Sequence, residues 1–327
     1  MKKHYYQLDA IKGIAIFLVI LGHAIIYFPI NLHTVYWCEI LYDLIYSFHM
    51  PLFFAVSGFC FHYDKYSTYN QFLLKKFKRI LLPYFIFSIF DMLPRLLLTG
   101  LINRPDVSWK DSLIKMFLYG GQYWFLYVLF LIFVIFPLVS KGIDKYRGLF
   151  LIGVIFFLST IYSVLPEIFK LRSVAYYMIF FSMGFWLKHQ IEYEKDTFVS
   201  KRRYIVSLSS LCGVILLWLI FFLLKSNYEW IKILDAVLGS LVVVIGVLLM
   251  NRNAIILYME KLGGYSLQLY LLNGFTLGVS RLIILKVTTM PIAVIVFNLF
   301  FDCHISYMAV HKVLAHNKYL RFISGIL

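Results

Sequence analysis

Charged side chains are scarce in this sequence, since only 14% of its 327 residues are Asp, Glu, Lys or Arg. A soluble protein usually carries about 25% charged and about 45–50% apolar residues. Here 62% of the residues are hydrophobic, which is more apolar surface than one aqueous core buries. The composition therefore excludes a soluble globular domain and indicates that lipid surrounds much of the chain.

Acidic residues and cysteines are also few. The 16 acidic residues against 31 Lys and Arg give a net charge of +15, which in a soluble chain would suggest a nucleic-acid partner. In a membrane chain the same excess is typical of cytoplasmic loops, so we expect membrane lipids and no nucleic acid as partners. The four cysteines form no Cys-x-x-Cys pair, and Asp302, His304 and His311 match no strong ligand spacing, so no metal site is predicted.

Apolar runs long enough to cross a bilayer recur along the whole sequence. They predict an all-α integral membrane protein of about ten transmembrane helices, in one multi-pass domain over residues 1–327 with no appended soluble domain. Lys and Arg concentrate in the loops that would share a side with the termini, which predicts cytoplasmic N- and C-termini and fits a bacterial plasma membrane. The predicted spans are about 10–30, 38–62, 80–99, 122–140, 148–165, 173–188, 204–224, 231–250, 262–285 and 290–310.

The first span, LDAIKGIAIFLVILGHA (residues 8–24), carries a cation and an imidazole within an apolar run. Lys12 and His23 are eleven residues apart, which on a helix is about 16 Å and about three turns, so both leave one face. Asp9 can pair with Lys12 at the membrane boundary. Ionisable groups inside a membrane often mark substrate or proton paths, whereas Lys12 alone also fits snorkelling to the headgroups. Neighbouring glycines at 13 and 22 predict a close approach of another helix or a ligand.

Together with FHMPLFFAVSGFCF (48–61), this span resembles the start of the acyltransferase-3 family of integral membrane acyltransferases. The resemblance is to the branch similar to nodulation-factor fucose 4-O-acetyltransferases. Further similar segments are KKFKRILLPYF (75–85), YWFL (123–126) and LGGYSLQLYLLN (262–273). One departure is Asn273, which stands where family members often have histidine.

The resemblance implies O-acetyl transfer from cytoplasmic acetyl-CoA to a hydroxyl of a cell-surface or lipid-linked sugar. A hydroxyl needs a base to take its proton, and an imidazole near pH 7 suits this, so His23 is the predicted base. Asp43 is predicted to orient His23, and His49 to line a cavity or act as a second acid/base. Predicted substrate contacts are Glu39, Ser57 and Trp124.

A basic rim is predicted to hold the phosphates of the acyl donor electrostatically. Its residues are Lys12, Lys75, Lys76, Lys78 and Arg79. The last four also fit binding of inner-leaflet lipids. The alternative function is a transporter or flippase for a glycan or its precursor, with Lys12 and His23 as binding or proton-relay groups. Direct transfer and an acetyl-histidine intermediate both remain open, and the sequence does not indicate an oligomeric state.

Overall fold

The computed structural model describes residues 6–26, 30, 35–63, 65–97, 108–193, 201–224 and 228–326. Within these residues every regular element is a helix, and none is a strand. In chain order the helices are α1 Tyr6–Ile26, α2 Tyr36–Phe59, α3 Tyr69–Lys76, α4 Leu82–Leu97, α5 Trp109–Tyr119, α6 Trp124–Ile161, α7 Leu171–Tyr193, α8 Lys201–Leu223, α9 Glu229–Leu249, α10 Ala254–Gly264, α11 Ser266–Ile284, α12 Pro291–Phe301, α13 Tyr307–Ala309 and α14 Lys318–Ile323.

Three π-helical turns lie between these elements, at Phe77–Leu81, Asp302–Ser306 and Val310–Leu314, and two short 3-10 turns at Tyr162–Val164 and Ile168–Lys170. The π-helical turns are wider than α-helical turns, and turns of this kind occur frequently at functional sites, whereas the 3-10 turns are tighter.

Six helical stretches of the described chain are long and apolar enough to cross a bilayer. They are Tyr6–Ile26, Tyr36–Phe59, Trp109–Ile143, Glu229–Leu249, Ser266–Ile284 and Pro291–Leu314. Two further apolar helices are shorter, Gly148–Val164 and Ser210–Leu223. The prediction of an all-α multi-pass membrane protein is confirmed, whereas the count of ten spans and the cytoplasmic termini stay predictions.

Most predicted spans begin and end within a few residues of an observed helix. The first, second, eighth and ninth predicted spans correspond to α1, α2, α9 and α11 in this way. The predicted ninth span starts too early, because the helix is interrupted at Tyr265, between α10 and α11. Hydropathy does not register such a break, since it is averaged over about 19 residues and does not report backbone geometry.

The fourth and fifth predicted spans both overlap α6, each extending two to four residues beyond one of its ends. Gly142 nevertheless lies against the ring of Phe150, although residues eight apart in a straight helix are about 12 Å apart along the axis. Ile135 and Gly153, from the two halves of α6, line the same apolar groove. The two halves of α6 therefore lie side by side, as two separate spans would.

The chain divides into two compact units. The first comprises Met1–Phe59 and Leu187–Met308, and the second comprises Cys60–Trp186 and Ala309–Leu327. In the first unit α1 is central, because it contacts α2, α9, α10, α11 and α12. In the second unit, α3 and its following π-helical turn pack on α6.

Helix α1 meets α10 almost backbone to backbone. A Cβ atom on Gly13 would overlap the carbonyl oxygen of Met259, and one on Gly263 would overlap the carbonyl oxygen of Asp9. Only glycine therefore fits at these two positions, which confirms the close helix approach predicted for Gly13. This contact fixes α1, and with it His23, relative to the C-terminal helices of the first unit.

Gly263→Ala is expected to destabilise the protein by about 1–3 kcal/mol or more, because the added methyl group has to push two backbones apart. Gly264→Ala is the matched control, since a Cβ on Gly264 meets nothing within 4 Å, and alanine there should leave stability unchanged or raise it slightly. Thermal unfolding of both variants in the same detergent measures the difference. Equal melting temperatures would contradict the close α1–α10 contact.

Candidate active site

His23 lies in the last turn of α1, with its side chain half-buried. Because α1 is one continuous helix, His23 and Lys12 keep their spacing and lie on one face of it, as predicted. Gly22 packs against the ring of Tyr46 on α2, so the close approach predicted for Gly22 is also confirmed. The imidazole therefore sits where α1 and α2 meet.

Nδ1 of His23 is hydrogen-bonded to Oδ1 of Asn273 on α11. An amide oxygen only accepts hydrogen bonds, so the imidazole proton must be on Nδ1. Nε2 then carries the lone pair that a general base needs. The partner of Nδ1 is thus Asn273, while the orienting role predicted for Asp43 stays a prediction.

Asp302 fixes the orientation of the Asn273 amide. Its carboxylate is fully buried, and its Oδ2 accepts a hydrogen bond from Nδ2 of Asn273. Because Nδ2 donates to Asp302, the amide oxygen is the atom that remains for His23. The direction of each hydrogen bond in this series therefore follows from the carboxylate, which can only accept.

Two hydroxyl groups complete the surroundings of Asp302. Thr276 Oγ1 donates to Oδ1 of Asp302, and Ser306 Oγ donates to the same oxygen at 2.6 Å. These three hydrogen-bond donors offset the large free-energy cost of burying a charged carboxylate in a protein surrounded by lipid. We call His23, Asn273, Asp302, Thr276 and Ser306 the histidine network, and all five lie in the first unit.

A π-helical turn positions Asp302 and Ser306 of the histidine network. Asp302 begins the turn and Ser306 ends it, and this wider turn lets both side chains face α11. Sequence reasoning missed this role, because it considered Asp302 only as a member of a metal set. The signal was nevertheless present, since a carboxylate in an apolar membrane segment is a functional candidate by default.

His49 is buried, and its Nδ1 donates to the backbone oxygen of Ile45 one turn earlier at 2.7 Å. Its ring lies edge-on to Tyr46, with centroids 4.7 Å apart, and Tyr46 also packs against Gly22, the residue before His23. The structure thus brings the two predicted histidines together. The role of His49 as a second acid/base stays a prediction.

The predicted substrate-contacting residues fall in both units. Glu39 and Ser57 are half-buried near opposite ends of α2 in the first unit. Trp124 begins α6 in the second unit, where its ring lies 5.4 Å from that of Tyr177. Contacts of these residues with a substrate stay predictions.

Four of the five predicted donor-binding cations lie together in the second unit. Lys75 and Lys76 end α3, while Lys78 and Arg79 belong to the π-helical turn that follows. We call these four residues the basic elbow. The fifth cation, Lys12, lies in the first unit and pairs with Asp9 at 2.5 Å, as predicted.

Lys76 differs from its neighbours in the basic elbow. Its Nζ lies 3.8 Å from the ring centroid of Phe133 and 5.4 Å from that of Phe72, while Lys75, Lys78 and Arg79 are exposed. Burial, reinforced by the nearby positive charge of Arg79, lowers the pKa of Lys76 to about 7. A lysine amine at this position therefore exists partly in its neutral, nucleophilic form near neutral pH.

Within the described ranges, no three His, Cys, Asp or Glu side chains come together in a way that fits a metal ion. His304, next to Asp302 in sequence, bonds through Nδ1 to the backbone oxygen of Phe300 at 3.0 Å. Asp302 is instead occupied by the donors of the histidine network.

Comparison with known proteins identifies the family of this chain. The family described as "Acyltransferase domain" matches residues 5–301, and the chain therefore belongs to this acyltransferase family. A curated relative, the nodulation protein NolL of Mesorhizobium japonicum, is 30% identical over 129 residues. That alignment covers 39% of this chain and 34% of the relative, so the chain spans about a third of the length of that protein. No solved structure matches the chain.

Proposed function

We propose that this acyltransferase moves an acetyl group from acetyl-CoA to a hydroxyl of a cell-surface or lipid-linked sugar, in a bacterial plasma membrane. The single observation that carries the proposal is the hydrogen bond from His23 to Asn273, which leaves Nε2 of His23 free to accept a proton. The family match supports acyl transfer over the transporter or flippase alternative. The resemblance of the first two helices to a sugar-acetylating branch supports the acceptor.

In the proposed reaction, Nε2 of His23 takes the proton of the acceptor hydroxyl while the hydroxyl oxygen attacks the thioester carbonyl. The C–S bond then breaks, an ester forms, and the CoA thiolate leaves with the proton that His23 had taken. The positive charge that develops on the imidazole is stabilised through Asn273 by the carboxylate of Asp302, as in other base–orienter pairs. If the acetyl group first rests on histidine, the same Nε2 is the attacking atom.

The phosphates of acetyl-CoA are assigned to the basic elbow. Coenzyme A carries its phosphates at the end opposite the thioester, so the cations that bind them need not adjoin the base. Exposed lysine and arginine side chains attract such a ligand through charge, and the net charge of +15 adds to the attraction.

The experiment that tests the proposal uses the purified protein in lipid with radiolabelled acetyl-CoA and glycan extract from the host. Base-labile label on the glycan is the expected result. Label that stays on the protein when acceptor is omitted would identify an acetyl-enzyme intermediate. If folded protein binds acetyl-CoA but labels no glycan, the sugar acceptor is wrong, and if it does not bind acetyl-CoA, the donor is wrong.

The double variant Lys78→Ala/Arg79→Ala is expected to raise KM for acetyl-CoA by about 2- to 30-fold, since each exposed ion pair contributes about 0.2–1 kcal/mol. The double substitution should leave kcat nearly constant. The rise in KM should become smaller at high ionic strength, where exposed charges are screened. Lys110→Ala/Lys115→Ala on α5 removes the same charge elsewhere in the second unit. An equal rise in KM in that control would contradict specific binding at the basic elbow.

A further inference from the structure

Helix α14 and the turn that follows it pack against the basic elbow. The helix ends in a Schellman motif, in which the N–H of Ile326 donates to the carbonyl oxygen of Arg321 at 2.9 Å. Gly325 in this motif has a φ of +76°, and a Cβ atom on it would overlap the carbonyl oxygen of Arg79. Only glycine therefore fits at position 325, and its close contact fixes α14 beside the backbone of the basic elbow.

Two exposed cations of α14 come close to the basic elbow in this way. Lys318 begins the helix, and Arg321 lies four residues before Gly325, which is about 6 Å along a helix axis. Helix α14 also contacts α4, the helix that begins directly after the basic elbow. Most side chains of the basic elbow are exposed as well. The second unit therefore presents cations from two separate segments of the chain on one surface.

Neither segment carries a carboxylate that balances these cations. The sequence has no Asp or Glu over residues 65–85 or 309–327. Its cations in these two ranges are Lys65, Lys75, Lys76, Lys78, Arg79, Lys312, Lys318 and Arg321. Like charges repel one another, so holding α14 against the basic elbow costs free energy that a bound anion offsets. The arrangement therefore favours a ligand with more than one negatively charged group.

We propose that α14 contributes Lys318 and Arg321 to the phosphate site of the basic elbow, so that two segments of the second unit hold the phosphates of acetyl-CoA. Coenzyme A suits two cationic segments, because its diphosphate and its ribose phosphate are separate anionic groups. The inference rests on the proposed function in one respect, namely that acetyl-CoA is the donor and that its phosphates bind at the basic elbow.

The first test is equilibrium binding of coenzyme A to the purified full chain in phosphatidylcholine nanodiscs. The double variant Lys318→Ala/Arg321→Ala is expected to raise Kd by about 2- to 30-fold, on the scale of two exposed ion pairs. The rise should become smaller at high ionic strength, where exposed charges are screened. Lys110→Ala/Lys115→Ala removes the same charge from α5 of the second unit and should leave Kd unchanged.

Gly325→Ala tests the docking of α14 without removing any charge. Alanine disfavours the positive φ, and its methyl group has to push α14 away from Arg79. We expect Kd for coenzyme A to rise by about the same factor as in Lys318→Ala/Arg321→Ala. Combining the two changes should add little, because residues that act on one site are not additive. Gly153→Ala, also in the second unit, is the matched control, since a Cβ there meets nothing within 4 Å.

The outcomes separate this inference from the proposed function. An unchanged Kd in folded Lys318→Ala/Arg321→Ala, or an equal rise in the α5 control, overturns the role of α14 and leaves the donor assignment intact. The same holds if this variant loses only binding to phosphatidylglycerol in the membrane, since α14 then contacts lipid headgroups. Folded wild type that does not bind coenzyme A overturns both. If coenzyme A binding depends on α14 but no glycan is labelled, the inference stands and the proposed sugar acceptor fails.

Discussion

Replacing His23 with glutamine is expected to slow acetyl transfer by about 10²- to 10⁴-fold, which is the usual contribution of a general base. Glutamine keeps a polar side chain beside Asn273, the partner of His23, but it has no nitrogen that can take a proton near neutral pH. The loss should fall on kcat, because the base acts on the reacting hydroxyl and does not hold the donor's phosphates. Initial rates at varied concentrations of donor and acceptor separate kcat from KM.

His304→Gln is the matched control for this change. His304 is exposed, and the only hydrogen bond of its Nδ1 within the described residues goes to the backbone of Phe300. This variant should retain the wild-type kcat. A folded His23→Gln protein that keeps about a tenth or more of the wild-type kcat would show that His23 is not the base.

Asp302→Asn is expected to have the second-largest effect, a fall in kcat of about 100-fold or more. The new amide places an NH₂ group where Oδ2 now accepts from Nδ2 of Asn273, so two donors face each other. Asn273 relieves this by turning its own amide, and its NH₂ group then faces His23. The proton of the imidazole moves to Nε2, which removes the lone pair that the base needs. A similar change of tautomer costs about 10⁴-fold in a serine protease triad.

The double variant Asn273→Asp/Asp302→Asn is expected to restore much of this activity. With the carboxylate at position 273, Nδ1 of His23 again has an acceptor, and the amide at position 302 donates to that carboxylate. The amide oxygen at 302 still accepts from Thr276 and Ser306, because both now bond to Oδ1 and not to Oδ2. The measurement is kcat of both single variants and the double variant, with melting temperatures to compare their folding. A double variant no more active than Asp302→Asn alone would contradict the positioning role of Asp302.

The sequence predicts where the helices of this protein lie along the chain better than it predicts which helices pack together. Apolar length locates α1, α2, α9 and α11 within a few residues, because a bilayer requires a continuous apolar run. The same signal cannot resolve the break at Tyr265 or the π-helical turn at Asp302–Ser306, since it reports the mean apolarity of a long window and not the backbone geometry. The division into two units also depends on which helices pack together, and one sequence does not contain that information.

The candidate site was predictable on one helix only. The spacing of Lys12 and His23 defines a face of α1 by helix geometry alone, and the structure keeps that face. Which residue meets Nδ1 of His23 depends on the packing of α11 against α1, so Asp43 was an equally reasonable sequence prediction. In the sequence, Asn273 is notable only because family members often have histidine at this position. In the structure, its amide links Nδ1 of His23 to the carboxylate of Asp302 through two hydrogen bonds.

The hydrogen bond between His23 and Asn273 joins residues that are 250 positions apart in the chain. Ribosomes add about 5–20 residues per second, so α1 is made roughly 12–50 s before Asn273 exists. During synthesis His23 therefore lacks the amide that sets its tautomer, and the first unit cannot close before the residues after Leu187 arrive. A nascent or truncated chain thus carries the imidazole without the amide that fixes its tautomer, so the proposed acyl transfer cannot begin until α11 has been made.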